Sequence, residues 1–275
     1  MTTVSISQPS NPVESPTGLN HPHPFSRGIR DVGAMVAREL RRSSRSVDSL
    51  ISSFAIPVCI MLVFVVVFGG AIEADGSYIG YVVPGVLVLC LGFGSAITAV
   101  AVAQDMTSGT IDRFKTLPIF ASSVLFGHVL ASVLRNLAAC VPVLAVALLL
   151  GFRPAAGGLG WLAAIAFILL IVVSFTWLSC LAGLVLSVDA AASINFVFLF
   201  LPYVSSGFVP VDTMPVWLHG FAQHQPFTPI IETLRSLLNG VSPGSSLGLA
   251  LVWLGVIWLV SYVGASWVYR RRTSS

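Results

Sequence analysis

The chain has 275 residues, of which 56% are hydrophobic and only 9% charged, with a formal net charge of +3. Ordinary soluble domains carry about 25% charged residues, so that class is excluded. Apolar runs near or above ~18 residues recur, each a candidate membrane helix, and the fold class is an all-α polytopic membrane protein.

Residues 1–27 carry Pro, Ser, Thr and Asn without periodicity and read as a disordered cytosolic tail. No signal peptide is expected, because the first 48 residues hold no apolar core segment. His21 and His23 lie in that tail, where two histidines are far more often inert than metal-binding. From Gly28 the pattern turns helical: Ile29, Val32, Val36, Leu40 and Val47 fall in one arc, and Arg30, Arg38, Arg41 and Arg45 oppose them. Such a helix lies in the membrane surface, basic side toward headgroups or a cytosolic partner. The plainer alternative is a solvated helix leading into the first span.

Residues 28–272 form one transmembrane domain with six spans, at about 51–68, 78–103, 133–150, 159–184, 191–209 and 247–269. The third is the least obvious, since the apolar stretch before Phe152 exceeds one crossing and contains His128, Arg135 and Asn136. A central arginine costs ~2.5–3.5 kcal/mol on insertion scales, which puts Arg135 at the cytosolic mouth of the span. The four cysteines, Cys59, Cys90, Cys140 and Cys180, lie inside apolar runs and read as small core residues. Eleven of the 14 basic residues fall in the two tails and the segment between spans two and three. Basic loops stay in the cytosol, so both termini are expected there.

Between spans two and three, Gly109 permits a sharp turn and Thr110 can cap a short helix, which Pro118 ends. Ile111, Phe114 and Leu117 recur every third residue among the charges Asp112, Arg113 and Lys115. Apolar knobs on a short charged helix suit docking into a partner's groove, or contact with the membrane surface or the N-terminal helix.

After the fifth span the chain breaks at Ser205-Ser206-Gly207 and forms two short helical pieces. Asp212 and Thr213 can cap the first and Pro215 open it. Thr228 is the expected N-cap of the second, with Pro229 opening and Gly240 closing it. Ile230, Ile231, Leu234, Leu237 and Leu238 share one face of that second piece. Glu232 and Arg235, three apart, are within ion-pair reach. Each piece is half a bilayer crossing, and Gln223–Pro226 between them is broken backbone, tolerated at depth only against protein or water. Trp217, Phe221 and Phe227 favour the interface, so the expectation is a re-entrant pair on the outer side. The alternative is an extracellular loop with two surface helices.

No Asp or Glu falls inside the six expected spans, which argues against proton coupling. The chain has one lysine, Lys115, and no P-loop, and its five histidines show no metal-ligand spacing. No catalytic arrangement is expected, so the chain is not read as an enzyme. A membrane pathway without its own energy source points to an energised partner.

At this point the sequence resembles the type-2 ABC exporter permeases, of the daunorubicin- and doxorubicin-resistance kind. Two blocks carry the resemblance: Asp105, Gly109, Thr110, Arg113, Leu117 and Pro118 after the second span, then Ser206, Gly207, Pro210, Pro215, Trp217, Pro226, Glu232, Arg235 and Gly240 after the fifth. The family often has glutamate where Asp105 stands. The resemblance implies a connecting helix, a cytosolic coupling helix, an outer re-entrant pair, a dimer of permeases and a separate ATPase subunit that holds ATP and Mg. No cofactor is expected in this chain itself, and no nucleic-acid partner. On this reading a bacterial cell membrane protein exports a hydrophobic drug-like or lipid substrate. Phe196, Phe200 and Tyr203 are candidates for the substrate path. The rivals are an ion-coupled secondary transporter and a membrane anchor or assembly protein.

Overall fold

The computed structural model describes residues 47–72, 78–108 and 121–274, with isolated positions at 33, 36, 37 and 41. All regular elements among them are helical. Helix α1 (Val47–Leu62) continues through a π-helical stretch, Val63–Phe68, into a last turn, Gly69–Ile72. The long helices are α2 (Tyr78–Thr107), α3 (Ala121–Leu149) and α4 (Gly158–Val185). Two shorter ones follow, α5 (Val188–Ala192) and α6 (Ile194–Tyr203), then a 3-10 turn at Val211–Thr213. The chain closes with α7 (Val216–His224), α8 (Phe227–Leu238) and α9 (Gly244–Ser274).

Helix α2 is the axis of the bundle, packing against α1, α3, α4, α5, α6 and α8. Its most apolar window is 78% buried, against 17% for that of α9, which packs chiefly against α4 and α8. A membrane helix surrounded by protein can be apolar all round, and so can one surrounded by lipid. Sequence pattern alone therefore does not distinguish the axis from the rim.

Helix α8 runs through the bundle, not over it. At its start Phe227 meets Phe175 at 5.4 Å and Phe198 at 6.4 Å, and those two rings lie 5.0 Å apart. Phe175 is more than halfway along α4, about 25 Å from Gly158 at 1.5 Å per residue. The other end of α8 returns to the beginning of α4: the Leu238 carbonyl accepts from Ala156 N–H at 3.2 Å. A 12-residue helix spans about 18 Å, and the reach of the Phe175 and Phe227 side chains covers the remainder. The apolar face read from sequence is the buried one, with Ile230, Ile231 and Leu234 wholly inaccessible and Leu238 nearly so.

Four helices are long and apolar enough to cross a bilayer, those beginning at Tyr78, Val124, Gly158 and Gly244. Ser53–Phe68 and Val188–Tyr203 are shorter apolar helices. Two helices differ in extent from the expected spans. The third helix does not wait for Val133; it begins at Ala121, and Arg135 lies within it, 9% exposed. Insertion costs describe an arginine meeting lipid, whereas this one is wrapped by neighbouring helices. The fifth was expected at 191–209, but helix ends at Tyr203, and residues 204–209 form a turn against α2. Of the amphipathic stretch at 28–47, Val36 is buried and Arg41 exposed. Ala37 is exposed as well; the stretch's other side chains beyond Gly33, the tail at 1–27 and residues 73–77 lie outside the described residues.

Candidate functional site

The end of the bundle that carries α7 and α8 is built on close backbone contact. A Cβ on Gly85 of α2 would stand 2.5 Å from the Gly207 carbonyl oxygen, so the 204–209 turn rests on α2 because residue 85 is glycine; a Cβ on Gly207 would instead meet the Pro202 carbonyl oxygen at 2.7 Å. The Tyr78 hydroxyl donates to the Phe208 carbonyl at 2.8 Å. Pro215 is the N-cap of α7, so the helix starts at Val216, one residue later than expected. Asp212 and Thr213 belong to the 3-10 turn, where the Thr213 hydroxyl donates to the Pro210 carbonyl at 2.7 Å.

Thr228 does not cap α8. The helix opens at Phe227 after Pro226, and the Thr228 hydroxyl instead donates to Ala222 O and accepts from Ser206 N–H. It thereby joins the tail of α7 to the 204–209 turn, a use that local helix signals do not encode. Gly240 closes α8 as expected, at φ +68°. Val241 N–H reaches the Ser236 carbonyl at 2.9 Å and Gly240 N–H reaches Leu237 O at 3.4 Å, the paired bonds of a Schellman motif.

Arg235 departs from the expected pairing with Glu232. Its Nε donates to the Tyr81 carbonyl at 3.2 Å, one Nη donates to the Ser206 carbonyl, and the guanidinium carbon sits 3.7 Å from the Tyr81 ring centroid. Burial lowers its pKa from the ordinary guanidinium value, while Tyr81 and the Glu232 carboxylate oppose that shift. One side chain thus binds α8, α2 and the turn together. Trp217, by contrast, is 80% exposed.

At the opposite end of α2, His128 Nε2 of α3 donates to Asp105 Oδ2 at 3.2 Å, both residues being 4% exposed. Tyr269 of α9 and Leu125 and Val129 of α3 form the apolar cluster at this level. Asp105 is therefore anchored inside the bundle. The remaining expected coupling residues, Gly109, Thr110, Ile111, Arg113, Phe114, Leu117 and Pro118, lie outside the described residues.

Between the two ends lies a buried polar layer that sequence reasoning missed. Arg135 Nη2 donates to the Gly94 carbonyl at 3.0 Å and to Thr98 Oγ1 at 2.8 Å. Asn136 Nδ2 donates to Ser132 O at 2.8 Å, and the Ser132 and Thr176 hydroxyls are 3.0 Å apart. The signal was present: His128, Ser132, Arg135 and Asn136 stand at i, i+4, i+7 and i+8, one face of a helix.

The three candidate path residues, Phe196, Phe200 and Tyr203, are not brought together on one open surface. Phe196 and Phe200 are 61% and 59% exposed, with ring centroids 6.5 Å apart. Tyr203 turns inward and stacks on Phe208 at 4.5 Å.

Residues 30–239 match the family described as ABC-2 type transporter. The chain belongs to that family. This ABC-2 chain is 30% identical to "Daunorubicin resistance ABC transporter permease protein DrrB1" of Streptomyces coeruleorubidus, over 74% of its own length and 72% of that protein's. It is 25% identical to "Probable doxorubicin resistance ABC transporter permease protein DrrC" of Mycobacterium tuberculosis, over 86% of its own length and 87% of that protein's. A third relative, "Putative transport permease ycf38" of Cyanophora paradoxa, is 24% identical over 77% of this chain and 75% of that protein. The chain is thus an ABC-2 permease of the Drr kind, the membrane subunit of an ABC exporter. Both blocks of the sequence resemblance end or begin on α2-facing geometry: Asp105 at one end, Gly207 and Arg235 at the other.

Proposed function

We propose that this permease exports a hydrophobic drug-like or lipid substrate across a bacterial cell membrane, driven by a separate ATPase subunit that holds ATP and Mg. Both termini lie in the cytosol, and the segment 110–117 docks into the ATPase. A second permease, identical or homologous, completes the pathway, with Phe196 and Phe200 facing it. The names of the relatives support a drug-like cargo. The observation that carries the reading is α2 itself. This single 30-residue helix holds Tyr81 against Arg235 at one end and Asp105 against His128 at the other. A push on the coupling segment would reach the re-entrant pair through one rigid rod.

The test is co-purification. Expressed with a matching ATPase, the permease should carry it through affinity purification, and substrate should stimulate hydrolysis. ATP hydrolysis by the permease alone contradicts the reading.

The buried Asp105–His128 pair favours a second reading, proton coupling, because titratable pairs inside a bundle are the usual proton relays. Export that survives a collapsed proton gradient but stops without ATP rejects it.

A further inference from the structure

A cavity of about 340 Å³ opens beside the re-entrant pair, with Tyr81, Ser206, Asp212, Gln223, Glu232 and Arg235 in its wall. Its charges do not cancel: two carboxylates face one guanidinium. That guanidinium is already committed, donating to the Tyr81 and Ser206 carbonyls and covering the Tyr81 ring. The walls therefore offer a visitor chiefly acceptors. Asp212 is exposed and Glu232 half-buried, and a carboxylate partly withdrawn from water attracts a cation more strongly than one in bulk solvent. Ser206 adds an independent sign of an absent partner. It is 2% exposed, and its hydroxyl makes no hydrogen bond among the described residues.

A metal ion is poorly served here. Among the described residues no group of three His, Cys, Asp or Glu side chains could hold one, and hard cations require six or more oxygens. We propose that this cavity binds a primary ammonium head group, with its three N–H donors shared among Glu232, Asp212 and Ser206. The volume is at the lower end of small-molecule sites, ~300–1,000 Å³, which suits a head group with a few attached atoms. The ammonium belongs either to the exported cargo or to a zwitterionic lipid. Binding itself does not depend on the export reading; only its use as a cargo station does.

The test uses the full-length protein in phosphatidylglycerol nanodiscs, which contain no lipid amine. Millimolar ethanolamine should raise the thermal midpoint. Choline, with the same charge but no N–H, should not. The double variant Asp212→Asn/Glu232→Gln should abolish the shift. Ser206→Ala, which removes no existing hydrogen bond of that hydroxyl, should weaken ethanolamine at least several-fold while leaving the ligand-free midpoint unchanged. No shift with ethanolamine, an equal shift with choline, or an undiminished shift in both variants overturns the proposal. Phosphatidylethanolamine retained through detergent washing by the wild type and lost by the double variant assigns the site to lipid. Equal retention by both, with the ethanolamine shift intact in the wild type, assigns it to cargo.

Discussion

Arg235 lies flat on Tyr81, guanidinium carbon 3.7 Å from the ring centroid, while its Nε holds the Tyr81 carbonyl at 3.2 Å. The contact spans 154 residues of sequence and ties α8 to the first turn of the central helix. A hydrogen bond to a charged group is worth about 1.5–3 kcal/mol and a cation–π contact about 0.5–2 kcal/mol. Arg235→Ala should therefore lower stability by roughly 2–4 kcal/mol, read as a lower thermal midpoint of the purified protein. Arg235→Lys should recover only part, because an ammonium cannot reproduce the planar fork. Tyr81→Phe should cost less than Arg235→Ala, since it keeps both ring and carbonyl and loses only the hydroxyl. A silent Arg235→Ala would mean that packing of the α8 apolar face holds the pair unaided.

At the far end of α2, Asp105 and His128 should behave as a coupled pair. Removing one partner strands the other in a buried site, at a cost of about 1–3 kcal/mol. Asp105→Ala and His128→Ala should each destabilise, and the double variant should cost less than their sum by roughly 0.5–3 kcal/mol. Strict additivity in the double-mutant cycle would show that the 3.2 Å contact carries no energy of its own.

Most of this architecture was legible in the sequence, because long apolar runs and the positions of Pro and Gly are local signals. The fourth and sixth spans, the buried face of α8 and the closure at Gly240 all follow from them. The misplacements share one cause. A cost set against lipid puts Arg135 at the mouth of the span, while α2 supplies it with the Gly94 carbonyl and the Thr98 hydroxyl. Thr228 fits an N-cap locally but is claimed by Ala222 and Ser206 across the fold. Glu232 and Arg235 have helical ion-pair spacing, yet the arginine turns to Tyr81. In each case a tertiary partner outweighs the local preference, and a single sequence does not name tertiary partners.

Membrane depth of the pair is open to chemical labelling, provided the positions are not shielded by protein. Ile231 and Leu234 are wholly buried and would resist labelling at any depth. Phe221 is 56% exposed and Ser242 is exposed as well, so lipid alone separates them. With a membrane-impermeant thiol reagent, Phe221→Cys should label at least several-fold more slowly than Ser242→Cys. Equal rates would place α7 in the aqueous phase.

The stripe Ile111–Phe114–Leu117 makes a prediction about the partner. Burying a Phe side chain is worth about 1.5–3 kcal/mol, so Phe114→Ala should reduce co-purified ATPase about tenfold or more at normal permease abundance. Lys115→Ala, off the stripe, should matter less, since exposed charges contribute little. Wild-type behaviour of both variants would move the docking contact elsewhere.

The most direct measurement is transport in proteoliposomes containing the permease, its ATPase and a fluorescent amphiphilic drug. Movement should require both proteins and ATP, should stop with a non-hydrolysable analogue or an ATPase lacking its catalytic glutamate, and should persist when the proton gradient is collapsed. Drug movement by the permease alone, driven by an imposed ion gradient without ATP, would contradict the account.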